Sequence, residues 1–148
     1  LDLMIHDLEI ILHLVRSSVK EIHAIGVPVL SPTEDIANAR LIFENGCVAN
    51  VTASRISQEK MRKIRVFQTD AYVSIDYQNQ SGKVIRKTPQ GIEPARMPID
   101  KGDPLELELA SFVQCVLNRD EPVVNAAHAS EALRLAARIC QHIREGGS

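Results

Sequence analysis

Ile36-Ala37-Asn38-Ala39-Arg40-Leu41-Ile42-Phe43-Glu44-Asn45-Gly46-Cys47-Val48-Ala49-Asn50-Val51-Thr52-Ala53-Ser54 reads as two patterned arms around an Asn-Gly pair. Asn-Gly between such arms predicts a two-residue turn at positive φ, joining antiparallel strands over roughly 36–44 and 47–56. On the first arm Ala37, Ala39, Leu41 and Phe43 alternate with Asn38, Arg40, Ile42 and Glu44; on the second, Val51 and Ala53 alternate with Asn50, Thr52 and Ser54. Successive strand side chains point to opposite faces, so each arm offers one face to a core and one to water.

Upstream, Met4, Ile5, Leu8, Ile11, Leu12 and Val15 recur at helical spacing and predict an amphipathic helix over about 2–16. Asp2, Asp7 and Glu9 suit the positive end of its dipole. The run from Val19 to Val29 reads as one strand, ending at Pro28 and Pro32. Downstream, strands are expected at 63–68 and 71–77, hinged at Thr69-Asp70, and at 84–87 after Ser81-Gly82. Three prolines and two glycines between 88 and 102 predict an irregular surface loop. Asp103-Pro104 reads as a helix cap followed by proline at the first helical position. That helix carries Leu105, Leu109, Phe112, Val113, Val116 and Leu117 on one face to about Asn118. After a connector over 119–124, Asn125 caps a last helix with Ala132, Leu133, Ala136, Ile139, Cys140 and Ile143 as its stripe. One helix, about six strands, then two helices predict an α+β fold: an open-faced, largely antiparallel mixed sheet with helices on one face. An uncovered apolar sheet face meets a partner, so a homo-oligomer through that face is expected.

Composition bounds the function. The 148 residues, 45% of them apolar, suffice for one ordinary domain. Seventeen basic against nineteen acidic residues leave a formal charge of −2, without the basic excess of a nucleic-acid or membrane-surface protein. Five aromatics and no tryptophan argue against a base-stacking platform. No apolar run exceeds three residues, which argues against a membrane-spanning helix. Cys47, Cys115 and Cys140 form no C-x-x-C, so no metal site is indicated, and buried free thiols of a cytoplasmic protein are expected. The helical pattern starts at once after Leu1, and residues 146–148 resemble a linker or cloning scar. Residues 1–145 therefore read as a domain cut from a longer protein.

Asp2 and His6 stand four apart, on one face of the first helix with β-carbons about 5–6 Å apart. A carboxylate there can hold one imidazole nitrogen and leave the other to take a proton. By spacing alone an ordinary surface pair is the favoured reading. His13 reads as packed or capping, while His23, His128 and His142 lack a carboxylate at ligand spacing. Arg55 could bind a substrate carboxylate or phosphate, but pairing with Glu44 or Glu59 is favoured. Lys60, Arg62, Lys63 and Arg65 read as a solvated strand entry.

Asp2-Leu3-Met4-Ile5-His6-Asp7-Leu8-Glu9-Ile10-Ile11-Leu12 resembles the start of the C-terminal domain in the Gfo/Idh/MocA oxidoreductases, whose Asp-x-x-x-His motif lies in an apolar helix. The resemblance continues through Val19–Leu30, the Asn45-Gly46 hairpin and the two closing helices. It implies that His6 takes the proton from a substrate hydroxyl while hydride leaves for NAD or NADP, and that Asp2 orients His6 or contacts a neighbouring hydroxyl. It also implies that an N-terminal Rossmann domain holds the cofactor, since no Gly-x-Gly-x-x-Gly occurs in these residues. Without that domain, the piece is expected to be inactive. The expected substrate is a small sugar, polyol or nucleotide-sugar, the last suggested by the arginines and lysines around 55–65. The alternative is a non-catalytic binding or dimerisation module of the same fold.

Overall fold

The structure is a computed structural model that describes residues 2–32, 34–56, 63–97, 99 and 101–146. The elements run α1 (Asp2–Val15), β1 (Val19–Val27), β2 (Ile36–Phe43), β3 (Val48–Ser54), β4 (Lys63–Phe67), β5 (Ala71–Asp76), β6 (Ser81–Thr88), β7 (Gly91–Arg96), α2 (Pro104–Asn118) and α3 (Ala126–Arg144). The α+β class holds. Among the described residues the strands number seven and divide into two antiparallel sheets, β1-β2-β3 and β4-β5-β6-β7. The chain correspondingly forms two compact units, residues 1–57 with 121–148 and residues 58–120.

In the first unit α1 packs over β3 and α3 over β1, and the two helices touch each other. The alternation of the hairpin arms selects the face they cover. Ala37, Ala39, Leu41, Phe43 and Val51 are buried with Ala24, Met4, Leu8, Leu135, Ala136 and Ile139 in one core. Alanines at positions 24, 37 and 39 keep this face shallow enough for helices to lie close. Gly26 continues the pattern: a β-carbon there would collide with Glu34 and Ile143. On α3 the buried stripe is Ala132, Leu135, Ala136 and Ile139, whereas Leu133 points to water. The opposite sheet face carries Asn38, Arg40, Asn50 and Thr52, all exposed, with Thr52 Oγ1 donating to Asn38 Oδ1 at 2.9 Å. This open face is therefore polar at its centre, with Ile25, Val27 and Val48 exposed around it as the apolar part of the face.

The hairpin is antiparallel as expected, but its loop has three residues. Phe43 N–H donates to the Cys47 carbonyl at 2.9 Å, and Gly46 N–H to the Phe43 carbonyl at 3.0 Å. Only Gly46 takes positive φ, at 82°, which is the turn-plus-bulge loop rather than the two-residue form. Tertiary contacts explain the choice. Asn45 N–H donates to Ser17 Oγ at 3.2 Å, its Nδ2 donates to the Val15 carbonyl at 3.2 Å, and Cys47 N–H donates to Asn45 Oδ1 at 3.0 Å. Cys47 is consequently exposed, correcting the buried thiol expected there; all three cysteines are free.

Between β1 and β2 the chain is pinned by a buried carboxylate. Asp35 Oδ2 accepts from the N–H groups of Val29, Leu30 and Ser31 at 2.9, 2.6 and 2.9 Å, and Oδ1 from Ser31 Oγ at 2.9 Å. The backbone donors of Leu30, Ser31 and Val29 hold its pKa well below the usual carboxylate range. The unfolded chain binds this proton more readily, so the stabilisation is complete above the ordinary carboxylate pKa, near 4, and lost as the pH falls below it. We expect urea midpoints of wild type and Asp35→Asn to differ at neutral pH and to converge on acidification. A gap independent of pH would reject the role.

The second unit contains a strand where a loop was expected. β7 pairs with β6 alone, with Pro94 opposite Ile85. An edge strand tolerates proline because one side of its ladder needs no N–H. Met97 and Ile99 lie where a β-carbon on Gly82 would fall, so they cover one face of this sheet. α2 has its expected Asp103 cap, with Glu106 N–H donating to Asp103 Oδ1 at 3.0 Å. Its apolar stripe, however, stays out of any core. No α2 residue is buried, and Leu117 is 70% exposed. Among the described residues no helix is long and apolar enough to cross a membrane.

Candidate active site

The first helix sets the geometry. Met4 and Leu8, four apart, are fully buried, and each such side chain contributes about 1.5–3 kcal/mol by leaving water. His6 lies two residues from each, roughly 200° around the helix, which turns it away from the core. Its side chain is exposed. The same period places Asp2, His6, Glu9 and His13 along one outer face, at i, i+4, i+7 and i+11. Position 2 falls within α1; the description does not extend to the Asp2 side chain. Arg16 ends the helix at φ 50°, with its N–H on the Leu12 carbonyl at 3.0 Å.

A cleft of about 450 Å³ lies at the C-terminal end of α1, against the start of α3. Glu9, His13 and Arg16 line one side, His128 and Glu131 the other. His13 is exposed here, rather than packed. His6, seven residues or about 10 Å back along the helix, does not line this cleft. Among the described residues no group of three metal-ligating side chains could hold an ion.

The other sequence candidates separate. Arg55 is exposed just beyond β3, with its backbone N–H on the Asp35 carbonyl at 2.9 Å. Among the described residues no carboxylate pairs with its guanidinium, so the pairing with Glu44 is absent. Glu59, Lys60 and Arg62 lie outside the described residues. His23 does have a carboxylate neighbour: its Nε2 is 3.7 Å from Glu21 Oε2, two residues away on the same strand face. The His142 ring meets it edge-on with centroids 6.5 Å apart. Sequence reasoning missed this pair because it tested helical and metal-ligand spacings, not the period of two. It also missed Asp35, whose role depends on a loop closing back over six residues.

Comparison with known proteins follows this geometry. The family model described as the GFO/IDH/MocA C-terminal domain matches residues 1–74, half of the chain. The UDP-N-acetylglucosamine 3-dehydrogenase of Acidithiobacillus ferrooxidans is 34% identical over 122 residues, covering 78% of this chain and 39% of that protein. A solved structure of that enzyme superposes with a TM-score of 0.90 at 26% identity, over 99% of this chain and 47% of the other. Levoglucosan dehydrogenase in complex with NADH shares the fold, with a TM-score of 0.83 at 14% identity over 97% of this chain and 47% of its own. The chain thus spans less than half the length of these relatives. With the family's sequence over residues 1–74 and its fold beyond them, the chain belongs to the Gfo/Idh/MocA family of oxidoreductases.

Proposed function

We propose that residues 1–145 are the substrate-facing C-terminal domain of an NAD(P)-dependent dehydrogenase that oxidises a hydroxyl of a sugar, polyol or nucleotide-sugar. The observation that carries this reading is the exposed His6, on a helix whose other side is locked by Met4 and Leu8. In this role the His6 imidazole takes the hydroxyl proton, and Asp2, one turn earlier, orients the ring. Arg55, free of a carboxylate among the described residues, is available to an anionic substituent of the substrate. The relatives' names support the substrate class, and the NADH complex of levoglucosan dehydrogenase supports a nicotinamide.

The cofactor does not fit the residues of this chain. They contain no Gly-x-Gly-x-x-Gly, and glycine there lets backbone approach a pyrophosphate. Its binding belongs to a nucleotide-binding domain of the whole protein; when bound, it supplies the hydride acceptor. The three free cysteines favour a reducing compartment, which we take to be the cytoplasm. We assign the open β1–β3 face to a homo-oligomer contact, hydrogen-bonded through Asn38, Arg40 and Asn50.

The test is nicotinamide reduction by the full-length protein over a panel of sugars, polyols and nucleotide-sugars, including UDP-N-acetylglucosamine. Reduction that requires one hydroxyl substrate is expected, and silence across the panel with both NAD and NADP would overturn the assignment. Light scattering of the same preparation should report a dimer or larger; a monomer would reject the sheet contact alone.

A further inference from the structure

We propose that the exposed face of the β4–β7 sheet is a binding site for a nucleoside diphosphate, with Arg65 and Lys83 taking the phosphates and Phe67 and Tyr72 stacking the base. The site goes beyond the dehydrogenase reading, because it needs neither His6 nor a nicotinamide.

The register assembles it. β4 sets Arg65 opposite Ser74 of β5, and β5 sets Ser74 opposite Lys83 of β6. One row across three strands therefore holds two cations about 9–10 Å apart, with a hydroxyl between them. The alternation along β4 and β6 puts Lys63, Arg65, Phe67 and Lys83 on the exposed side. The reverse side carries Ile64, Val66 and the buried Val84, and Met97 and Ile99 lie against it at Gly82. Among the described residues, the face carrying Lys63, Arg65, Phe67 and Lys83 is thus the exposed one.

Charge on that face is unbalanced where it matters. Lys63 is satisfied by Asp76, its cross-strand neighbour, at 3.4 Å. Asp76 also accepts from Asn79 N–H at 2.9 Å and from Asn79 Nδ2 at 3.0 Å. Asp76 is therefore already engaged, and among the described residues no ion pair reaches Arg65 or Lys83. A dianion placed between the two cations is attracted to both. A guanidinium fork and a point-charge ammonium are complementary phosphate ligands.

Next to the row lies an aromatic pair. Phe67 stands opposite Tyr72 with ring centroids 4.9 Å apart, and Phe67 is 76% exposed. Two residues of strand, about 7 Å, separate this pair from the cation row, a distance that a ribose spans. Planar bases stack on such rings irrespective of their hydrogen-bonding edges. Two of the chain's five aromatics, five residues apart, are brought together here across the β4–β5 turn.

Amide chemical shifts of the 148-residue chain titrated with UDP, UDP-N-acetylglucosamine, uridine and pyrophosphate test the proposal. UDP should shift residues 63–67, 71–76 and 81–85 saturably, with uridine and pyrophosphate each at least about tenfold weaker. Arg65→Ala and Lys83→Ala should each weaken UDP by at least about tenfold, and added salt should do the same by screening. Phe67→Ala should weaken UDP and leave pyrophosphate unchanged; Lys20→Ala, on β1, should alter nothing. A nucleotide-sugar binding as tightly as UDP or tighter assigns the site to such a substrate, and weaker binding assigns it to the free nucleotide. No saturable UDP binding, shifts confined to other residues, or full affinity in both cation variants would overturn the site. None of these outcomes depends on turnover, so this proposal and the dehydrogenase reading fail separately.

Discussion

Replacing His6 by alanine in the full-length protein is expected to lower turnover by at least about a hundredfold, the lower end of what a positioned general base contributes. The side chain is exposed and outside the buried core, so the substitution removes no packing. Stability should change by no more than about 0.5 kcal/mol, as for other surface positions. Melting at the wild-type temperature with collapsed turnover is the expected pair of results. Near-normal turnover of His6→Ala would remove the catalytic assignment, whatever the substrate.

Phe43→Ala is expected to cost about 3–5 kcal/mol, the range for truncating a buried phenylalanine. Domains are stable by only about 5–15 kcal/mol, so this is a large fraction of the total. Phe43 is 1% exposed and is the largest of the fully buried side chains. It ends β2 at the hairpin, where its N–H donates to Cys47, so backbone and side chain are fixed together. The core it fills also contains Met4 and Leu8, which aim His6 outward. A cavity at Phe43 should therefore loosen α1 as well as lower the urea midpoint. Phe112→Ala is the internal contrast. That ring is 61% exposed on α2, and its loss should change stability of this chain by less than about 1 kcal/mol. Equal costs for the two phenylalanines would show that burial does not govern stability here.

Much of the fold was legible because local signals carry their own physics. Asn125 and Asp103 satisfy helix N–H groups from within three residues, and both caps form where the sequence places them. Asn45-Gly46 marks a reversal because glycine alone accepts positive φ cheaply, and Gly46 does so with open space around it. The loop length was not legible, since it depends on Ser17 and Val15, thirty residues earlier in the chain, meeting Asn45. β7 was hidden by Pro94, which forbids a central strand but not an edge. The α2 stripe was legible but its exposure was not, because periodicity declares that a helix has an apolar face and says nothing of what covers it.

For the candidate site the division is similar. The Asp2–His6 spacing and its place in an amphipathic helix belong to the linear chain, because a period of 3.6 residues is a property of the backbone. Which side of that helix meets water was decided by Met4 and Leu8 finding the small-residue face of β1–β3. The α+β class could be read from element order and pattern, and the family from the resemblance of the Asp2–Leu12 stretch to its motif. The division into two sheets, the closure of Asp35 over its loop and the row joining Arg65 to Lys83 could not. The sheets and the row depend on strands sharing a hydrogen-bond ladder, and the Asp35 closure on a loop folding back over six residues; pairing free energy exists only once the chain has brought the partners together.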